Sequence, residues 1–180
     1  GEAQLAFHGG IGQDELRVLG DPENDPTSVV YTPGAANDEG SLGYLDGSGA
    51  DLMRINFTGL EPIIDTVVAT GGLVVSGTNA ANAINYAEGP NSGTSVVGDL
   101  VSGLISVDGF ETYEFTNKPV LSIDAGAGSD EINLDHPGSP AGLNNIVIGG
   151  GGPTGSDRVI VNNRAAGTGM VFDPISPDEG

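Results

Sequence analysis

The stretch DAGAGSDEINL, at residues 124–134, joins a glycine-rich turn to an apolar alternation that begins at Ile132. Two near-copies have the same plan: GGIGQDELRVL at residues 9–19 and GGPTGSDRVIV at residues 151–161. Glycine and aspartate favour tight turns, and aliphatic residues two positions apart face one side of a β-strand. Three copies of this turn-and-strand motif predict a repeated β architecture.

The composition is typical of a folded, mostly β chain with an acidic surface. Of 180 residues, 31 are glycine and 11 are proline, and these residues interrupt long helices. The formal net charge of −20 repels nucleic-acid phosphates and anionic lipids, so no nucleic-acid partner is expected. No apolar run reaches about 18 residues, which predicts no membrane insertion. The chain has no cysteine, which excludes disulfides and thiolate metal sites.

A longer repeat is visible around two short segments, NFTGLE at residues 56–61 and SVDGFE at residues 106–111. Both end in glycine, a large apolar residue and glutamate, and an alternating apolar segment follows each of them. A recurring unit of this kind predicts one segment built from repeats rather than several unlike domains. We expect a single segment, 1–180, with sub-repeats at roughly 1–61, 62–111 and 112–180.

Alternating aliphatic pairs recur inside this unit, each separated from the next by turn residues. They are Leu121/Ile123, Ile132/Leu134, Ile146/Ile148 and Val159/Val161. Two steps cover about 25 residues, which suits one coil of a stack of short strands. The sequence therefore predicts an all-β fold, a parallel β-helix (β-solenoid) of about 25 residues per coil. A β-sandwich is the alternative, because its strands recur at similar spacing.

The glycine-rich motifs resemble the G-G-x-G-x-D-x-L nonapeptide of bacterial secreted RTX-type repeats. GGIGQDEL, at residues 9–16, fits this pattern, and AGAGSDEI, at residues 125–132, fits it with alanine at the first glycine. The broader layout is similar to the degenerate repeats of large exported or surface proteins of planctomycetes and cyanobacteria. The resemblance implies a parallel β-helix, an exported protein and calcium bound at the Gly-Asp turns. In RTX proteins, however, the nonapeptides follow one another directly, whereas in this chain they are far apart.

Four aspartates in or beside these motifs are the candidate metal ligands: Asp14, Asp124, Asp130 and Asp157. Ca²⁺ prefers carboxylate and backbone carbonyl oxygens, and glycine-rich turns can present both kinds of ligand. Two interpretations remain open at this stage. The aspartates bind Ca²⁺, the one cofactor that the sequence suggests, or each of them caps its own turn by accepting backbone N–H groups.

The acidic residues do not form a recognisable catalytic pattern. Adjacent acids occur at 14–15, 38–39, 130–131 and 178–179, but neighbours on a strand point to opposite faces. Glycoside hydrolysis requires two carboxylates that converge on one bond. The sequence therefore predicts no enzyme. The tyrosines at 31, 86 and 113, with Phe57 and Phe110, are expected to stack in the core rather than to bind sugars.

These observations together predict an extracellular or cell-surface structural segment that stacks or self-assembles into a filament, sheath or surface layer. Calcium is expected to stabilise that assembly. The expected partners are copies of the chain itself or neighbouring repeats, together with divalent cations. Two alternatives stay open: an adhesin or glycan-binding solenoid, and a β-helix polysaccharide lyase or hydrolase.

Overall fold

The computed structural model describes residues 3–20, 26–92, 101–135, 140–152 and 156–162. Those residues contain fourteen β-strands and no helix. In chain order the strands are β1 (Ala3–His8), β2 (Leu16–Val18), β3 (Ser28–Pro33), β4 (Glu39–Leu45), β5 (Asp51–Thr58), β6 (Ile63–Asp65), β7 (Gly72–Ser76), β8 (Ala83–Glu88), β9 (Gly103–Val107), β10 (Tyr113–Phe115), β11 (Val120–Asp124), β12 (Glu131–Asp135), β13 (Asn145–Gly149) and β14 (Arg158–Asn162).

The strands form two mixed sheets of seven strands each. The first sheet has the order β1-β5-β4-β3-β7-β11-β13, and the second has the order β14-β12-β8-β9-β10-β6-β2. Buried side chains from both sheets belong to one hydrophobic core. This arrangement is sandwich-like, as the alternative prediction has it.

The prediction of a parallel β-helix is wrong. Strand β4 runs antiparallel to both β3 and β5, and β9 runs antiparallel to both β8 and β10. The chain therefore reverses direction within each sheet instead of winding in one direction. Side chains alternate between faces in parallel and antiparallel strands alike, so the apolar pattern could not reveal these reversals.

The aliphatic pairs found in the sequence do set the register of the later strands. Strand β11 pairs in parallel with β13, and Leu121 lies opposite Ile146. Strand β12 pairs in parallel with β14, and Ile132 lies opposite Val159. The predicted offset between these aliphatic pairs is confirmed as the offset between neighbouring strands.

The glycines of the motif at residues 124–134 allow two turns to pack closely. Gly126 has φ 87°, and a Cβ atom there would lie 2.2 Å from the carbonyl oxygen of Thr78. Gly128 has φ 135°, and its Cβ would lie 2.7 Å from the backbone of Ala80. Only glycine fits both the backbone angle and the space at these positions. The motif therefore joins β11 to β12 while lying against the preceding turn.

Aromatic rings stack through the core, as the sequence predicts. Tyr31 stacks on Phe57 with the ring centres 6.5 Å apart, and on Tyr113 with the ring centres 5.6 Å apart. Tyr86 stacks on Phe115 at 6.2 Å. Buried rings of this size remove a large apolar area from water and dominate the packing of a small core. These five rings are thus part of the core, whereas Phe110, also predicted to stack there, is only partly buried against it.

Candidate functional site

The four predicted aspartates are only partly brought together. Asp14 lies before β2, where its Oδ2 accepts the backbone N–H of Gly10 at 2.7 Å. Asp124 ends β11 and its Oδ1 accepts the N–H of Gly126 at 3.3 Å. Both therefore cap their own turns, as one of the two interpretations has it. Within the described ranges, no group of three or more His, Cys, Asp or Glu residues has a metal-binding arrangement.

Asp130 and Asp157 form a ladder across neighbouring strands of the second sheet. Oδ1 of Asp130 accepts the N–H of Asn82 at 2.7 Å, and Oδ1 of Asp157 accepts the N–H of Asp130 at 3.0 Å. On the other side, Asp108 accepts the N–H of Ala83 at 2.6 Å and the side-chain amide of Asn82 at 2.7 Å. These carboxylates cap the strand starts of their neighbours rather than their own turns. Calcium binding at these residues stays a prediction.

A second polar cluster lies in the core, around Asp65 at the end of β6. Asp65 and Lys118 are both 0% exposed, and Lys118 Nζ lies 3.3 Å from Asp65 Oδ1. The same ammonium donates to the carbonyl oxygens of Val67 and of Thr116, the latter at 3.2 Å. The N–H of Val67 in turn donates to Asp65 Oδ1 at 2.7 Å. A buried ion pair tolerates the loss of water only when its remaining polar atoms are bonded in this way.

Two tyrosine hydroxyls complete the cluster by donating to the other oxygen of the carboxylate. The hydroxyl of Tyr113 donates to Asp65 Oδ2, and the hydroxyl of Tyr44 donates to the same atom at 3.3 Å. Burial, and then the negative charge of Asp65, raise the pKa of both tyrosines well above the usual value. Both hydroxyls therefore keep their protons and act as donors at any ordinary pH.

A third feature is a pocket of about 340 Å³, whose lining includes Glu61 and Glu111 of the two repeated Gly-apolar-Glu segments. Glu111 is 3% exposed, and its Oε2 has no hydrogen-bond partner. Burial, followed by the charges of Glu61 and Asp38, raises the pKa of Glu111 to about 7. The 50-residue repeat therefore places two carboxyl groups in one pocket, and Glu111 loses its proton only as the pH rises through about 7.

Each sheet ends on a strand that has one neighbour among the described residues. These end strands are β1 and β13 in the first sheet and β2 and β14 in the second. Leu5 on β1 lies opposite the buried Ile55, yet it is 49% exposed. Val159 on β14 lies opposite the buried Ile132 and is 40% exposed. In each sheet, a row of aliphatic side chains that is buried on the inner strand therefore continues to an end strand, where its last member is only partly covered.

No protein-family model matches the chain, and neither a curated protein nor a solved structure matches it. The structure holds no helix, within its described residues, that is long and apolar enough to span a membrane.

The cluster around Asp65 is not apparent from the sequence patterns described above. Asp65 stands inside the apolar run PIIDTVVA at residues 62–69, and Lys118 is one of five basic residues in the chain. A charged residue within such a run is the signal that could have revealed the cluster, because an unpaired buried charge is rarely tolerated. The sequence alone did not identify Lys118 as its partner.

Proposed function

We propose that the chain is a structural segment of an extracellular or cell-surface assembly, and that it stacks head to tail with further copies of itself. The observation that carries the proposal is the direction of the end strands. In the first sheet two antiparallel pairs, β5–β4 and β4–β3, lie between β1 and β13, so these two strands run the same way. In the second sheet two antiparallel pairs, β8–β9 and β9–β10, lie between β14 and β2, so these two strands also run the same way.

This agreement permits both sheets to continue across one interface. Strand β13 of one copy can pair in parallel with β1 of the next, while β14 pairs in parallel with β2. A head-to-tail contact of this kind does not close on itself unless the rotation between copies closes a ring, so it favours filaments. End strands with free backbone groups are the usual sites of such pairing.

The uncovered aliphatic side chains support the same contact. Leu5 and Val159 occupy rows that are buried further inside each sheet, and another copy would cover them. Burying one aliphatic side chain of this size contributes about 1.5 to 3 kcal/mol. These two contacts add to the backbone hydrogen bonds of two paired strands, and together they oppose the loss of translational and rotational freedom on association.

The net charge sets the conditions under which this association occurs. Copies with a charge of −20 repel one another, and salt screens that repulsion within about 10 Å at 0.1 M. We therefore expect assembly to require salt or divalent cations. The predicted calcium binding by Asp14, Asp124, Asp130 and Asp157 belongs to this part of the proposal, since bound Ca²⁺ also lowers the charge.

The test compares two leucines of similar exposure. Leu5, on the end strand β1, is 49% exposed, and Leu52, on the inner strand β5, is 46% exposed. Sedimentation velocity and negative-stain electron microscopy are run over a concentration series in low salt, in high salt, with millimolar calcium and with chelator. We expect wild type and Leu52→Asp to form filaments, and Leu5→Asp to raise the required concentration at least about tenfold.

Three outcomes separate the parts of the proposal. Monodisperse wild-type protein under every condition would overturn self-stacking. Assembly weakened equally by Leu5→Asp and Leu52→Asp would show that the end strand has no special part in it. Filaments that form in salt and persist with chelator would support stacking but overturn the role of calcium.

A further inference from the structure

The core cluster of Asp65, Lys118, Tyr113 and Tyr44 has a geometry that goes beyond an ion pair. We propose that Lys118 and Asp65 condense to an intramolecular amide bond between Nζ and Cγ, with release of one water molecule. The proposal does not depend on head-to-tail stacking. It rests on complete burial, on the placement of the amine, and on the two hydroxyls at the carboxylate.

Burial removes the usual obstacle to condensation. Asp65 and Lys118 are 0% exposed, so bulk water neither solvates the two charges nor reverses the reaction. Removing an ammonium and a carboxylate from water is costly, and a neutral amide product removes that cost. A fixed contact also replaces a bimolecular encounter, which raises the effective concentration of the amine by many orders of magnitude.

The hydrogen bonds of Nζ hold the amine beside the carboxyl group. Nζ donates two N–H groups to the carbonyl oxygens of Val67 and Thr116, and it lies 3.3 Å from Asp65 Oδ1. When the third ammonium proton moves to Oδ1, Nζ retains a lone pair beside the same carboxyl group. The two carbonyl oxygens thus hold the nucleophile in place while it loses its charge.

The tyrosine hydroxyls stabilise the negative charge that develops during the attack. Nζ bonds to Cγ, and the π electron pair of the Cγ–Oδ2 double bond moves to Oδ2, which Tyr113 and Tyr44 both contact as donors. A second proton passes from Nζ to Oδ1, so one of the two hydrogen bonds from Nζ to the carbonyl oxygens is lost. The electron pair on Oδ2 re-forms the double bond as the Cγ–Oδ1 bond breaks, and Oδ1 leaves as water together with its hydrogen bond from the N–H of Val67. The product retains one N–H on Nζ and one carbonyl oxygen, Oδ2. No oxidant, metal or other reactant is needed, and fixed donors of this kind accelerate acyl transfer strongly.

The first measurement is the intact mass of freshly purified protein under denaturing conditions. We expect a mass below the calculated value by that of one water molecule. Digestion with a glutamate-specific protease, followed by fragmentation, should then give a branched peptide that joins the segment around Asp65 to the segment around Lys118. Full calculated mass in folded wild-type protein would overturn the proposal.

Variants and mild alkali distinguish the mass loss caused by this bond from a mass loss caused by dehydration elsewhere in the chain. Asp46–Gly47 and Asp108–Gly109 can dehydrate to succinimides, but mild alkali hydrolyses those rings and leaves an amide intact. Lys118→Arg keeps the positive charge and should show full mass. Water loss that persists in Lys118→Arg, or that disappears in mild alkali, would assign the reaction to another site.

Two further variants test the chemistry without removing the amine. Asp65→Asn should lose one ammonia molecule instead of water, because an amide nitrogen then leaves in place of Oδ1. Tyr113→Phe should slow condensation by about 10²-fold, measured in both proteins as the fraction still at full calculated mass at successive times after synthesis, because one of the two donors to Oδ2 is missing. Unchanged kinetics in Tyr113→Phe would remove the hydroxyl from the mechanism.

Discussion

Asp65 and Glu111 are both buried carboxylates, but their surroundings are opposite in kind. Asp65 is 0% exposed and has an ammonium beside one oxygen and two hydroxyl donors at the other. Glu111 is 3% exposed, one of its oxygens has no partner, and the charges of Glu61 and Asp38 act on it. Burial alone therefore does not decide whether a carboxyl group favours its charged or its protonated form. A cation and donors stabilise the charge, whereas like charges favour the proton.

Asp130 is intermediate between these two residues. It is 2% exposed, and one oxygen accepts the backbone N–H of Asn82 while the other has no partner. The Asp130 carboxylate thus accepts a hydrogen bond, as Asp65 does, but it lacks the neighbouring cation that Asp65 has. Removing each of the three carboxylates should therefore have effects that differ in size and, for Glu111, in sign.

The largest effect is expected from Asp65→Ala. Relative to the uncondensed chain, the change leaves the Lys118 ammonium buried without its carboxylate and deprives the Tyr113 hydroxyl of its acceptor. Where the amide has formed, the loss of that cross-link adds to the effect. Breaking one side of a buried ion pair costs about 3 to 5 kcal/mol in the free energy of unfolding. Urea unfolding followed by tyrosine fluorescence measures this loss, since the chain has no tryptophan.

The control removes both charges together. Asp65→Leu with Lys118→Met replaces the pair by apolar residues of similar size, and we expect it to recover most of the stability that Asp65→Ala loses through the unpaired charge. A loss below about 1 kcal/mol in Asp65→Ala would contradict the importance of the pair. Equal losses in the single and double variants would assign the effect to packing.

A smaller loss is expected from Asp130→Ala. The N–H of Asn82, a residue that is 4% exposed, then has no acceptor, and an unsatisfied buried donor costs about 1 to 3 kcal/mol. Asp124→Ala is the matched control, because Asp124 is exposed and should change stability by less than about 0.5 kcal/mol. Thermal unfolding of both variants, with calcium and with chelator, measures the difference.

The two measurements also test the calcium prediction. A calcium-dependent rise in wild-type stability that disappears in Asp130→Ala would support metal binding at the ladder formed by Asp130 and Asp157. Equal losses in Asp130→Ala and Asp124→Ala would show that the ladder stabilises the fold no more than an exposed turn cap does.

The strands could be predicted from the sequence where the relevant pattern is local. Alternating pairs such as Leu121/Ile123 indicated the strands and, through their spacing, the partners of β11 and β12. The direction of β4 and β9 could not be predicted, because the alternation is the same for either direction. The β-helix prediction failed at these two strands, and the fold is two mixed sheets.

The candidate sites divide in the same way. Asp124 and Asp130 could be predicted as turn residues, since glycine and aspartate in a turn form a local sequence pattern. The pair of Asp65 with Lys118 depends on a contact between distant parts of the chain, which no local pattern shows. The repeat containing Glu61 and Glu111 was visible in the sequence, but its consequence, two like charges in one pocket, required the parallel pairing of β6 with β10.

The smallest effect, and the one with a different sign, is expected from Glu111→Gln. Because the folded pKa of Glu111 is about 7, above the ordinary value of 4.5, the folded chain binds this proton more tightly than the unfolded chain does. The stability due to this proton is fully present below pH 4.5 and is lost as the pH rises through about 7. We expect Glu111→Gln to be more stable than wild type at pH 8, by about 1 to 2 kcal/mol after allowance for the open pocket, and to show no such gain at pH 4.

Urea unfolding at both pH values measures this difference, and Glu88→Gln, at an exposed position on β8, controls for the loss of one negative charge. A gain of the same size in both variants would assign the effect to the net charge of −20 rather than to the pocket.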